Sequence, residues 1–206
     1  MARFISTTFG KISGRHGEAV AVTTKDGRCF LRVYTKPKDP TSPKQLAHQA
    51  KFGLVSKGLT CLGSVFKITY ADKRGKNKAV SLAYKNCIVG EYPNFTLDYS
   101  KLIFTVGSVD ITGLVTATVL EGTTINLKWD SSVFTQSNPN DTLSLVFFNE
   151  ASKKGLLRQN LAERSMGSVK LEIPAIWARA QIHCWLYFTS PNGINSPSQY
   201  VSLIQL

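Results

Sequence analysis

Acidic residues are scarce in this chain and nearly missing from its first part. Of 13 Asp and Glu in 206 residues, only four fall in residues 1–80, against 16 of the 25 Lys and Arg. Residues 81–206 hold nine of each sign, so the whole formal excess of +12 sits in the first two-fifths. That asymmetry points to a polyanionic partner for the N-terminal part, whether nucleic acid, an anionic surface or an acidic protein. The plainer alternative is a solvated positive surface that aids solubility. Long apolar runs are also absent, and the opening MARFISTTFGKISGR has neither a secretory apolar region nor a cleavage site. The expectation is therefore cytoplasmic synthesis without a signal peptide and no membrane insertion.

Chemical motifs are missing too. Cys29, Cys61, Cys87 and Cys184 are far apart with no CxxC pair, which predicts four free, mostly buried thiols. His16, His48 and His183 are isolated from one another, with no HExxH and no zinc spacing. No nucleophile elbow, Walker sequence or dinucleotide fingerprint occurs, and the acids Asp39, Asp72, Asp98 and Asp110 are scattered singly. The expectation is a non-enzyme with no cofactor and no metal.

What is present is concentrated between Lys25 and Leu59. Asp26-Gly27 between residues of strand type predicts a two-residue hairpin turn, joining a strand at 19–24 to one at 28–35. The period of two then puts Arg28, Phe30, Arg32 and Tyr34 on one face and Cys29, Leu31 and Val33 on the other. Lys36-Pro37-Lys38-Asp39-Pro40 predicts an extended basic linker, and Ser42-Pro43-Lys44-Gln45 a capped helix start. Leu46, Ala47, Ala50 and Leu54 mark the apolar stripe of that helix. A helical stretch at 59–70, a basic loop at 71–78 and a helix at 79–89 ended by Gly90 follow. The candidate binding residues for a polyanion or partner are Arg28, Phe30, Arg32, Tyr34, Lys36, Lys38, Lys44, Lys73, Arg74, Lys76 and Lys78. The rings at 30 and 34 stack on bases in one reading and pack on the first helix in the other.

Beyond residue 95 the texture changes to short alternating runs. Ile125/Leu127/Trp129, Leu143/Leu145/Phe147, Val169/Leu171/Ile173 and Ile182/Cys184/Leu186/Phe188 each alternate with other residues between Asn-, Pro-, Gly- and Ser-rich turns. They predict an antiparallel sandwich of immunoglobulin type. Trp129 on an early strand and the late loop SPNGINSPS resemble a fibronectin type III domain, which implies that Trp129 is buried. The predicted architecture is an α+β basic hairpin-and-helix module at 1–95, a connecting strand at 96–107 with a strand at 101–106, and an immunoglobulin-like sandwich at 108–206.

Over most of the chain, GKISG, the basic hairpin, PTSPKQLAHQAKF, AVSLAYKNCIVGEYPNFTLDYSKL and QIHCWLYFTSPNGINSPS resemble a family of uncharacterised proteins of Bacteroidota. Its N-terminal part, the basic hairpin followed by PTSPKQLAHQAKF, is also similar to a segment in small tailed-phage and prophage structural proteins. That resemblance implies a structural or interaction protein, with an assembly partner or self-association and a virion as one destination. The competing class is a nucleic-acid-binding protein using the basic and aromatic hairpin face. Thiol titration in denaturant without reductant is expected to find four; fewer would mean a disulfide.

Overall fold

Gly27 sets the register of the first sheet. The computed structural model describes residues 2–4, 12–36, 39, 42–71, 74–120, 123–177 and 180–205. In it the loop between Thr23 and Cys29 closes through Gly27 N–H to Thr24 O (3.0 Å) and Thr24 N–H to Arg28 O (2.9 Å). Gly27 has φ +76° and Asp26 stays in the negative region. A two-residue type I′ turn needs positive φ at both centres, so the expected turn is replaced by a longer loop in which only glycine is left-handed.

The strands are β1 (Ala2–Phe4), β2 (Gly14–His16), β3 (Ala19–Thr23) and β4 (Cys29–Val33), in the order β1-β4-β3-β2 and antiparallel throughout. They belong to a compact unit, Met1–Ser42, and the rest of the chain forms a second, Pro43–Leu206. The division thus falls at Ser42 and not near residue 95. Hairpin and helices do not share a module, because the helices bury their apolar faces against the strands that follow them.

The second unit opens with α1 (Pro43–Gly58), which starts at the predicted proline, then α2 (Gly63–Thr69) and α3 (Gly75–Asn86). Leu46 is exposed, Ala47, Ala50 and Leu54 are half-buried, and Val55 is the residue of α1 that is fully buried. The basic loop is shorter than expected: α3 begins at Gly75, where a Cβ would lie 2.2 Å from the carbonyl oxygen of Phe66. The helix ends at Asn86, earlier than expected. Ile88 and Val89 instead form β5 (Ile88–Val89), paired with β6 (Thr96–Leu97), so Gly90 (φ +94°) serves that turn and not a helix cap.

The predicted strand at 101–106 is also absent. A helical turn at Tyr99–Lys101 leads into an irregular extended segment. It is held to 196–198 by Phe104 N–H to Ser198 Oγ (2.8 Å), Thr105 Oγ1 to Ser196 O (2.7 Å) and Ser198 N–H to Thr105 O (3.3 Å). Pro197 has no N–H to continue a ladder there.

Two four-stranded sheets follow. One runs β11 (Ser168–Glu172), β8 (Thr124–Trp129), β7 (Val115–Leu120), β14 (Leu203–Gln205). The other runs β10 (Lys154–Glu163), β9 (Thr142–Asn149), β12 (Ile182–Thr189), β13 (Gln199–Val201). The last strand changes sheets at Ser202, pairing antiparallel with β12 and then parallel with β7. Ala117, Ile125, Leu127 and Trp129 meet Leu143, Leu145, Phe147, Cys184, Leu186 and Phe188 in one core. Trp129 is buried as expected, its indole N–H donating to Arg164 O at 2.8 Å.

The alternation expected for β9 and β12 breaks down on their second face. Val146, Phe148, Trp185 and Tyr187 are as buried as the residues between them, and they form a second core with Val55, Leu59, Phe66, Ala79, Ala83 and Phe104. Phe104 bridges the layers, its ring 4.9 Å from Phe66 and 4.7 Å from Trp185. The unit is therefore three layers, with the helices covering the β10-β9-β12-β13 sheet. All four cysteines are free; burial pushes the Cys87 thiol up to about 11 and the Cys184 thiol higher still.

Trp185→Ala is expected to destabilise this unit by about 3–5 kcal/mol, as truncation of large core aromatics does. The indole N–H of Trp185 has no partner among the described residues, so Trp185→Phe should cost much less. Denaturation followed by helical circular dichroism and by tryptophan fluorescence should give coincident curves. Separated curves would make the helical layer independent of the sheet.

Candidate polyanion-binding face

The register of the first sheet decides which side chains share a face. Arg32 of β4 lies beside Val20 of β3, and Val20 beside Arg15 of β2. The neighbouring row pairs Phe30 with Val22. Ala21, Leu31 and Cys29 point to the opposite side, where Ala21 and Cys29 are buried. The basic and aromatic face is more open: Val22 is 45% exposed, Phe30 is half-buried, and Arg15, Arg28 and Arg32 are exposed.

Tyr34 follows directly after β4, its N–H donating to Glu18 O at 2.6 Å. The Arg15 guanidinium carbon lies 3.8 Å above the Tyr34 ring centre, while Arg15 Nε donates to Gly17 O at 3.0 Å. That stacking pre-orients one arginine beside an aromatic ring with the remaining donors outward. Arg15 was not a sequence candidate, because the glycines at 14 and 17 read as turns. Its signal was the period-two position opposite Val20, visible only once Gly14–His16 is taken as a strand.

Residues 1–42 carry eight Lys/Arg against three Asp/Glu. Among the described residues no ion pair engages Arg15, Arg28, Arg32 or Lys36. The face can therefore hold anionic groups by charge-assisted hydrogen bonds and offer flat rings between them.

The other candidates are placed elsewhere. Lys44 lies in the first turn of α1, Arg74 immediately before α3, and Lys76 and Lys78 within its first turns, all in the second unit. Lys76 Nζ donates to Thr60 Oγ1 at 3.3 Å. Lys38 and Lys73 lie outside the described residues. Of the nominated set, the sheet brings together Arg28, Phe30, Arg32 and Tyr34, with Lys36 following in the same unit.

Among the described residues no group of three or more His, Cys, Asp or Glu side chains is placed to hold a metal ion. No described helix is long and apolar enough to cross a membrane. His48 accepts or donates at 2.6 Å with Tyr84 OH, joining α1 to α3, and His183 bonds Tyr200 OH at 3.1 Å inside the second core.

No curated protein matches the sequence. Among solved structures, the chain is similar to the third fibronectin III domain of the human KIAA0343 protein, at 13% identity and a TM-score of 0.34, covering 54% of this chain and 90% of that one. A family model spans residues 11–202, so the chain belongs to DUF6266, a family of unknown function.

Proposed function

We propose that this protein is a non-enzymatic interaction protein whose first unit docks through the open face of its sheet onto a polyanionic partner, with the sandwich of the second unit as a display scaffold. The observation that carries this reading is the set of Arg15, Arg28, Arg32 and Lys36, unneutralised among the described residues and grouped around Phe30 and Tyr34. With eight Lys/Arg against three Asp/Glu, the unit keeps a net positive field that attracts an external anion. An assembly partner with an acidic surface is the first candidate, in a virion-like setting given the resemblance of the PTSPKQLAHQAKF segment to phage structural proteins. We read the sandwich as immunoglobulin type and fibronectin III-like, from its two-sheet strand order and the buried Trp129.

A nucleic acid is the second reading, supported by the Arg15–Tyr34 stack, which places a ring and a guanidinium together as single-strand binders do. Heparin chromatography of the parent and of Arg28→Glu/Arg32→Glu, with folding checked by circular dichroism, tests the shared premise. The variant is expected to elute at clearly lower salt; elution at the same salt rejects this face. Binding of single-stranded DNA and RNA then separates the two readings. If the polymer is nucleic acid, the slope of log affinity against log salt should flatten by about two when both arginines are lost. A parent that binds neither polymer at low salt leaves the acidic-protein reading alone.

A further inference from the structure

Loops at one end of the sandwich enclose a cleft of about 460 Å³, within the range of small-molecule sites. One wall is built by 108–109, 136–138 and Asp141, the other by 190–192 and Ile194. Both walls are fixed from within. Arg164, fully buried at the end of β10, donates from Nε to Asp141 Oδ2 at 3.2 Å and from Nη2 to Asp110 O at 2.6 Å, and its guanidinium lies 4.0 Å from the Phe188 ring centre. The side chains of the same two aspartates hold the neighbouring loop, Gln136 N–H reaching Asp110 Oδ2 at 2.7 Å and Asn138 N–H reaching Asp141 Oδ2 at 2.8 Å. Opposite, Ser190 N–H donates to Ile194 O and Gly193 N–H to Ser190 O, each at 2.8 Å. A buried ion pair contributes little net stability against an apolar replacement. Its effect here is positional: it locks three separate stretches of chain around one cleft.

The groups left for a ligand define its chemistry. The Gln136 and Asn192 amides and the Ser108 hydroxyl line the cleft at exposed positions. Asp141 also lines it, is fully buried, and its Oδ1 has no partner among the described residues. Val109 and Ile194 supply apolar surface. No Lys or Arg is in the lining, so a phosphate or carboxylate has no counter-ion there.

We infer that this cleft binds a neutral polyhydroxylated ligand, the end of an uncharged oligosaccharide. A sugar hydroxyl both donates and accepts, matching two amides and a hydroxyl together. The Gln136 and Asn192 amides and the Ser108 hydroxyl meet the ring hydroxyls, directly or through bridging waters, and the C–H face of the ring rests on Ile194.

The test titrates the full chain with maltotetraose, cellotetraose, mannotetraose and tetra-N-acetylchitotetraose, with sialyllactose as the charged comparison, followed by ¹H–¹⁵N spectra and calorimetry. At least one neutral sugar is expected to bind, with shifts confined to 108–110, 136–141 and 190–195. Ser108→Trp, at an exposed position on the cleft wall, and Gln136→Ala/Asn192→Ala should each weaken it at least tenfold without changing the melting temperature. No shifts from any neutral sugar at roughly 10 mM, which is weaker than any useful affinity, would overturn the proposal. So would binding unaltered in both variants, or a preference for sialyllactose. None of these outcomes bears on the basic face, since Arg28 and Arg32 are unchanged throughout.

Discussion

The structure of the second unit depends on two strands being apolar on both faces. In β9 and β12 nearly every residue is buried, Leu143, Leu145, Phe147, Cys184, Leu186 and Phe188 toward the other sheet and Val146, Phe148, Trp185 and Tyr187 away from it. A two-layer sandwich would leave Trp185 and Tyr187 in water. The free energy of hiding surfaces of that size, about 25 cal/mol per Å², recruits α1, α2 and α3 as a third layer. The helices then need only narrow apolar faces: Val55 of α1, Phe66 of α2 and Ala83 of α3 rest on an existing apolar platform.

The same constraint fixes the connections. With the helices on one face, the chain must return to the sandwich along the edge of the platform, and Phe104 is inserted there between Phe66 and Trp185. Gly107 follows because the return path passes so near the 195 carbonyl that a Cβ would sit 1.8 Å from its oxygen. The irregular segment is thus tightly specified despite lacking strand geometry, and it delivers residues 108–114 to the end of the sandwich where the Arg164–Asp141 pair lies.

Much of this was legible in the sequence wherever a local rule had no competitor. Ser42-Pro43 marks the start of α1, and alternation finds the inner faces of β8, β9 and β12 with Trp129 among them. The helical cover was present in the sequence as the aromatic character of Trp185, Tyr187 and Phe148, but period-two reading assigns such residues to a solvent face unless both faces are weighed. Close approaches are invisible to such rules: Gly75 starts a helix because of Phe66, nine residues earlier and across a turn. Arg164 is a burial no composition argument anticipates, since arginines are seldom inside without partners brought from far along the chain. In the first sheet, the period of two within β4 places Phe30 and Arg32 on one side, while the position of Arg15 depends on a cross-strand register that one strand cannot reveal. The charge asymmetry, counted by position along the chain, merged cations that belong to two different compact units.

That separation has a physical consequence for the first unit. Its described residues include only two fully buried apolar side chains, Ala21 and Cys29. Chains near 40 residues seldom bury enough surface to be stable without a staple or a partner. Arg15, Arg28, Arg32 and Lys36 add mutual repulsion in a sheet that has few acids to offset it. A ligand that neutralises these charges and binds only the folded sheet stabilises it by RT ln(1 + [L]/Kd), about 2.7 kcal/mol at a hundredfold excess over Kd. For a unit with so small a core, that increment is comparable to the stability it has to work with. If the proposed polyanion binds this face, its binding and the ordering of the sheet are one equilibrium, because the ligand would offset the repulsion that the small core has to work against.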